Sequence, residues 1–270
     1  MLEKRSRVIT LDHSEMEVVD PPSALMLIAE IMRGVQCSPK CRLHCELPTN
    51  DFVAEMLEKL DYWTIFGLKR AYRIQTNEQF VMRMTDRRTI PQMAKGIIEG
   101  FSDCCTFRPQ QQKVLYKGLV ECMDNVMGHA YPSDIRRSQI WLDKQWWMLA
   151  YKNLTDREVR LCFYDQGVGI PNTIRTRLKD RINPWRSDED IIIDAVREGC
   201  YSRTKESTRG RGLPKLLEVI DGNEFSGDLS IYSDKSYCRF FSSDRYEKQR
   251  IVEPVQGTLI TWRLSARHED

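Results

Sequence analysis

The sequence predicts an α+β protein in two parts: a smaller N-terminal α/β domain and a larger C-terminal sandwich with a mixed sheet and its helices on one face. Three observations predict it. Strand-like and helix-like segments alternate near the N-terminus. A long amphipathic helix opens the second part and is followed by alternating-pattern strands that run to the C-terminus. Of 270 residues, 41% are apolar, which is enough to bury a core without disulfides or metals. The expected division is 1–75 for the small domain, 76–108 for a connecting strand and helix, and 109–270 for the sandwich.

In chain order, the first part reads strand 7–11, strand 16–19, helix 23–33, strand 42–47 and helix 51–60. Pro21 and Pro22 suit a helix start, and Pro39 and Pro48 punctuate turns. A strand over 79–84 and a helix over 93–101 follow, with the domain boundary expected between 68 and 87. The long helix covers 109–130, where Val114, Leu115, Leu119, Cys122, Met123 and Val126 trace an apolar stripe. Strands at 139–151 and 158–164 lead into a Gly-rich turn, then helices at 173–178 and 188–198. A basic loop precedes a helix at 213–220 and strands at 229–233, 237–241 and 257–264.

Charge and composition narrow the class. The chain carries 41 Lys+Arg against 39 Asp+Glu, a net +2, which argues against a dedicated nucleic-acid binder. The longest apolar run, 24–32, is broken by Glu30 and is too short to span a bilayer. Nothing at the N-terminus resembles the apolar core of a signal peptide, so a cytoplasmic protein is expected. Nine cysteines are too few for a disulfide scaffold. Cys37, Cys41, His44 and Cys45 could hold zinc, but no C-x-x-C pair is present. The alternation of Cys41, Leu43, Cys45 and Leu47 fits the inner face of a strand better.

Three motifs carry chemistry. On the long helix, Glu121, Asn125 and His129 recur every fourth residue and share a face. That face is either solvated surface or a site where Asn125 ligates a divalent ion and Glu121 polarises a water. After the strand at 158–164, Asp165-Gln166-Gly167-Val168-Gly169-Ile170 places a carboxylate beside two glycines. It is either an ordinary turn or a place where a backbone approaches a ligand closely. Neither a dinucleotide fingerprint nor a P-loop is present. Third, Gly210-Arg211-Gly212-Leu213-Pro214 opens a helix behind Arg203, Lys205 and Arg209, an anion-binding pattern or a solvated basic loop.

Taken in order, Glu121-x-x-x-Asn125, Asp165-x-Gly167-x-Gly169, Gly210-x-Gly212-Leu213 and Gly257-Thr258 resemble the GHKL ATPases. That superfamily holds gyrase B subunits, MutL, heat-shock chaperone ATPases and histidine kinases. The likeness covers about 110–264, and Asn125-x-x-x-His129 is closest in style to the anti-sigma kinases. It implies a Bergerat-type sandwich that binds ATP and Mg2+. Asp165 would then read the adenine amine, with Thr258 supporting it through a shared water. Asn125 would hold the metal. Gly167, Gly169 and Ile170 would line base and ribose, and Gly210, Arg211, Gly212 and Leu213 would cradle phosphates. Residues 173–209 would form a lid, and Glu121 would be the general base. The segment 8–68 more distantly resembles a STAS domain, in Val18-Val19-Asp20 leading into a helix. Pro21 and Pro22 stand where that pattern has its phosphorylatable serine.

The resemblance implies a slow, Mg-dependent ATPase acting as a nucleotide-gated switch for a partner protein, with a homodimer possible. The alternative is an anti-sigma-type serine/threonine kinase, for which the same Glu121 would serve. A module that merely binds ATP would not need Glu121. The chain ends soon after the last predicted strand, so a lysine from a following domain is not expected to neutralise the terminal phosphate. Arg203, Lys205, Arg209 or a partner is expected to do so.

Overall fold

The computed structural model describes residues 8–38, 40–68, 78–101, 107–132, 144–153, 158–178, 183, 185–199, 212–222 and 224–266. The chain divides into two compact units, Met1–Asn77 and Glu78–Asp270.

In the first unit, strands β1 (Val8–Asp12) and β2 (Arg42–Glu46) pair in parallel. Helix α1 (Pro21–Cys37) connects them, and α2 (Asp51–Lys59) and a 3-10 turn (Tyr62–Phe66) follow. Both helices are capped as their sequences require. Asp20 Oδ1 accepts from Ser23 N at 2.7 Å, and Asn50 Oδ1 accepts from Phe52 N and Val53 N. The strand expected at 16–19 is not formed. Met16 N closes a turn onto His13 O, and Thr49 Oγ1 and Asn50 Nδ2 bind Ser14 O and Glu17 O. Side chains of the loop after β2 therefore take carbonyls that a ladder would have used. Along β2, Leu43 and Cys45 are half-buried while His44 is exposed, so Cys45 and His44 face opposite ways. Among the described residues no cluster of three His, Cys, Asp or Glu stands at metal-binding distance.

A buried polar pair ties this unit together. His13 Nδ1 donates to Glu46 O at 2.9 Å, which leaves Nε2 to accept from Tyr62 Oη at 2.6 Å. The imidazole lies edge-on to Tyr62 and Trp63.

The second unit is a five-stranded sheet, ordered β3 (Glu78–Asp86), β4 (Trp146–Asn153), β5 (Glu158–Asp165), β7 (Tyr246–Ala266), β6 (Phe225–Phe240). Every pair is antiparallel, not mixed as expected from the crossover helices. The crossover does join two strands of the same direction, β5 and β6, but β7 lies hydrogen-bonded between them. The segment expected as a connector belongs to this unit. Strand β3 forms the sheet edge, and α3 (Pro91–Gly100) adds Ala94, Ile97 and Ile98 to the core. The strands expected at 229–233 and 237–241 are one continuous β6. No helix among the described residues is long and apolar enough to cross a membrane.

The helices α4 (Pro109–Asn125), α5 (Ile170–Leu178), α6 (Asp188–Glu198) and α7 (Pro214–Asp221) share one core with alternate residues of the sheet. Those residues include Met148, Leu161, Phe163, Leu229, Ile231, Ile260 and Trp262. The lid expected over 173–209 is corrected for its described part. Ile174 of α5 and Ile191, Ile192, Ala195 and Val196 of α6 are core residues, which anchors both helices. Ser187 Oγ caps α6, accepting from Asp190 N at 3.1 Å.

Candidate active site

The strand period sets the floor of the site. Val159, Leu161 and Phe163 of β5 face the helices, so the next residue of that phase, Asp165, faces them too. The same holds for Thr258 beyond Ile260, Trp262 and Leu264 on β7, and for Ser233 beyond Leu229 and Ile231 on β6. Register aligns the three, Asp165 opposite Thr258 and Thr258 opposite Ser233. The apolar core thus ends in a buried polar row across three strands.

This row is held from behind. Ser233 Oγ donates to Gly257 O at 2.9 Å, accepts from Ile170 N at 3.0 Å and lies 3.4 Å from Thr258 Oγ1. Gly257 adopts φ +80°, and a Cβ there would overlap the Asp165 carbonyl oxygen, so only glycine fits beside this turn. Asp165 Oδ1 accepts from Gly167 N at 2.8 Å, and no other hydrogen bond or ion pair reaches the carboxylate among the described residues. Burial raises its pKa to about 7, against the lowering effect of the Gly167 N–H.

The wall opposite is the end of α4. Glu121, Cys122, Asn125, His129 and Ala130 border the pocket, and beyond Asn125 the helix widens into a π turn, Val126–Ala130. Ala130 O accepts from Val168 N at 2.8 Å, pinning the Gly-rich turn to this helix end. A Cβ on Gly167 would overlap Ala130, so Gly167 serves this packing and does not border the pocket. The Asn125 Nδ2 is buried with no hydrogen-bond partner. Beneath Glu121, burial pushes the Cys122 thiol well above its usual pKa, with Glu121 and Asp165 adding to the shift.

The third side is the Gly212–Leu213 turn before α7. Gly118 lets α4 approach α7, a Cβ there reaching Val219 at 3.0 Å. That approach sets Glu121 against the turn, where a Cβ on Gly212 would overlap its carboxylate. Lys215, in the first turn of α7, donates to Glu121 Oε2 at 2.8 Å.

The pocket has about 730 Å3 of empty space, open solvent at its mouth included. It brings together Glu121, Asn125, Asp165, Gly169, Ile170, Gly212, Leu213 and Thr258 from the sequence-expected set. Arg203, Lys205, Arg209, Gly210 and Arg211 lie outside the described residues. Sequence reasoning missed Ser233 and Lys215, and it placed Thr173 and Arg177 in the expected lid without a role of their own, where both border the pocket from α5. The chain matches no family model and no curated protein.

Proposed function

We propose that the second unit binds ATP with Mg2+ and hydrolyses it slowly, as a switch for a partner protein. The single observation that carries this reading is the convergence of the four motifs. Asp165 and Thr258 on two neighbouring strands, an Asn–Glu face on α4 and the Gly212 turn border one pocket, although 137 positions separate Glu121 from Thr258 in the sequence. The same order of motifs underlies the GHKL resemblance.

Asp165 offers an acceptor oxygen to an adenine amine in a dry setting, where such a bond discriminates strongly. Asn125 fits a magnesium site of one protein ligand. Its amide has an unsatisfied buried atom, and rotation about Cβ–Cγ presents Oδ1 in the same place. Its remaining ligands would be water and phosphate oxygens, as magnesium prefers. Bound there, the ion would supply charge neutralisation at the phosphates. Glu121, one turn before Asn125 on the same face, would orient a water in this reading.

The test is phosphate release and nucleotide affinity of the full chain with Mg2+. Wild type should release phosphate, and Glu121→Ala should stop release without losing affinity. If wild type binds neither ATP nor ADP, the reading is wrong. If it binds ATP and transfers phosphate only to an added protein, the kinase alternative replaces it.

A further inference from the structure

The geometry points to Lys215 as the cation that reads the terminal phosphate, held on Glu121 until a nucleotide competes for it. This rests on the ATP reading of the same pocket and adds a residue no motif assigned. Glu121 is buried, and one of its oxygens lies against the backbone of Gly212 while the other accepts from Lys215 Nζ at 2.8 Å. A phosphate cradled by the Gly212 turn would therefore stand next to a carboxylate. Two anions so close repel in a partly desolvated site, and a cation must lie between or beside them.

Lys215 is the cation on that side. Its backbone N–H closes the turn onto Gly212 O at 2.9 Å, so its Cα is fixed beside the cradle. Its side chain is 43% exposed, against 10% for Glu121, so the ammonium can swing while the carboxylate stays. A lysine suits this exchange because its charge sits on a flexible stem and has three donors. Asp124 and Glu218, the other acidic groups acting on Lys215, add to the pull of Glu121 and keep it protonated. Lys215 reaches the pocket through Glu121 and not as a lining residue; Arg177, which lines the pocket from α5 and has no ion pair among the described residues, is the competing cation.

The resting ion pair has a consequence for Glu121. A carboxylate accepting from an ammonium has one fewer lone pair for a water, so arrival of a terminal phosphate frees the base as it recruits the lysine. ADP, lacking that phosphate, leaves the pair closed.

The test compares the affinities of ADP and adenylyl imidodiphosphate, with Mg2+, in wild type, Lys215→Met, Lys215→Arg and Glu121→Gln. Wild type should prefer the triphosphate analogue. Lys215→Met should weaken that analogue about tenfold, the scale of one charge-assisted hydrogen bond, and change ADP less than about twofold. Lys215→Arg should restore most of the preference. Glu121→Gln should tighten the triphosphate analogue by releasing the lysine, and that gain should vanish in the double variant with Lys215→Met. Equal loss for both nucleotides, or none for either, overturns the assignment, as does loss of discrimination in Arg177→Met but not in Lys215→Met. If wild type binds neither nucleotide, the ATP reading itself falls and takes this assignment with it. Unfolding midpoints for each variant separate loss of contact from loss of fold.

Discussion

Replacing Asp165 with asparagine should stabilise the protein and, on the proposed reading of the pocket, weaken ATP binding. The carboxyl is buried with one N–H donor, and its pKa rises from 3.8 to about 7. Between those values the folded chain holds a proton that the unfolded chain has released. Stability therefore falls as pH rises from about 4 to 7, by up to about 1.4 kcal/mol per unit, and levels off above 7. The full shift corresponds to about 4 kcal/mol. Asparagine keeps an oxygen for Gly167 N and has no charge to bury, so this slope should be absent in Asp165→Asn. Urea unfolding from pH 5 to 8 measures it: the variant should gain on wild type as pH rises, and most at pH 8. Its free amide N–H2 would then meet the adenine amine donor to donor, and ATP affinity should fall about 100-fold or more. Parallel pH curves would refute the buried-carboxylate argument. Undiminished ATP affinity with the expected stability gain would refute only the adenine role.

Other substitutions test single contacts. Gly257→Ala must hold φ +80° and overlap the Asp165 carbonyl, so a loss of at least about 2 kcal/mol is expected by thermal or urea unfolding. Gly212→Ala drives its Cβ into the buried Glu121 carboxylate; a stability loss of about 1–3 kcal/mol is expected, and phosphate release should fall because the carboxylate is displaced. Tyr62→Phe leaves the buried His13 Nε2 without a donor and should cost about 1–3 kcal/mol in the urea stability of the first unit.

Much of the site was legible because strand and helix periods are local. Asp165 closes a β5 pattern of alternate apolar residues, and Glu121 and Asn125 are one helical turn apart, so spacing alone placed each on a face. Ser233 closes the same alternation on β6 after Leu229 and Ile231, but it lies within a continuous strand and joins Asp165 only because β7 inserts between β5 and β6, an arrangement no local pattern encodes. Lys215 pairs with a residue 94 positions away, and its own neighbourhood reads as a helix start. The crossover helices suggested a mixed sheet for the same reason: they report that β5 and β6 run the same way, not what lies between them. In the first unit, Met16 to Val19 alternates like a strand, but a strand needs a partner, and the loop after β2 supplies side chains instead of a ladder.

The polar groups of this pocket argue for a ligand rather than for stability. A core designed only to hold the fold would close the Asp165–Thr258–Ser233 row with apolar residues, as the rows of Phe163, Ile260 and Ile231 just above it do. Ser233 has a structural reason to be polar, because it binds Gly257 O and Ile170 N. Asp165 and Asn125 are less well served: a neutral acceptor would hold Gly167 N as well as the buried Asp165 carboxylate does, and the Asn125 amide has a buried atom left unpaired. Each is destabilising where it stands, and both border one pocket. Two independent costs that meet at one pocket, beside the Glu121–Lys215 ion pair, are what a site built to take a polar ligand would keep.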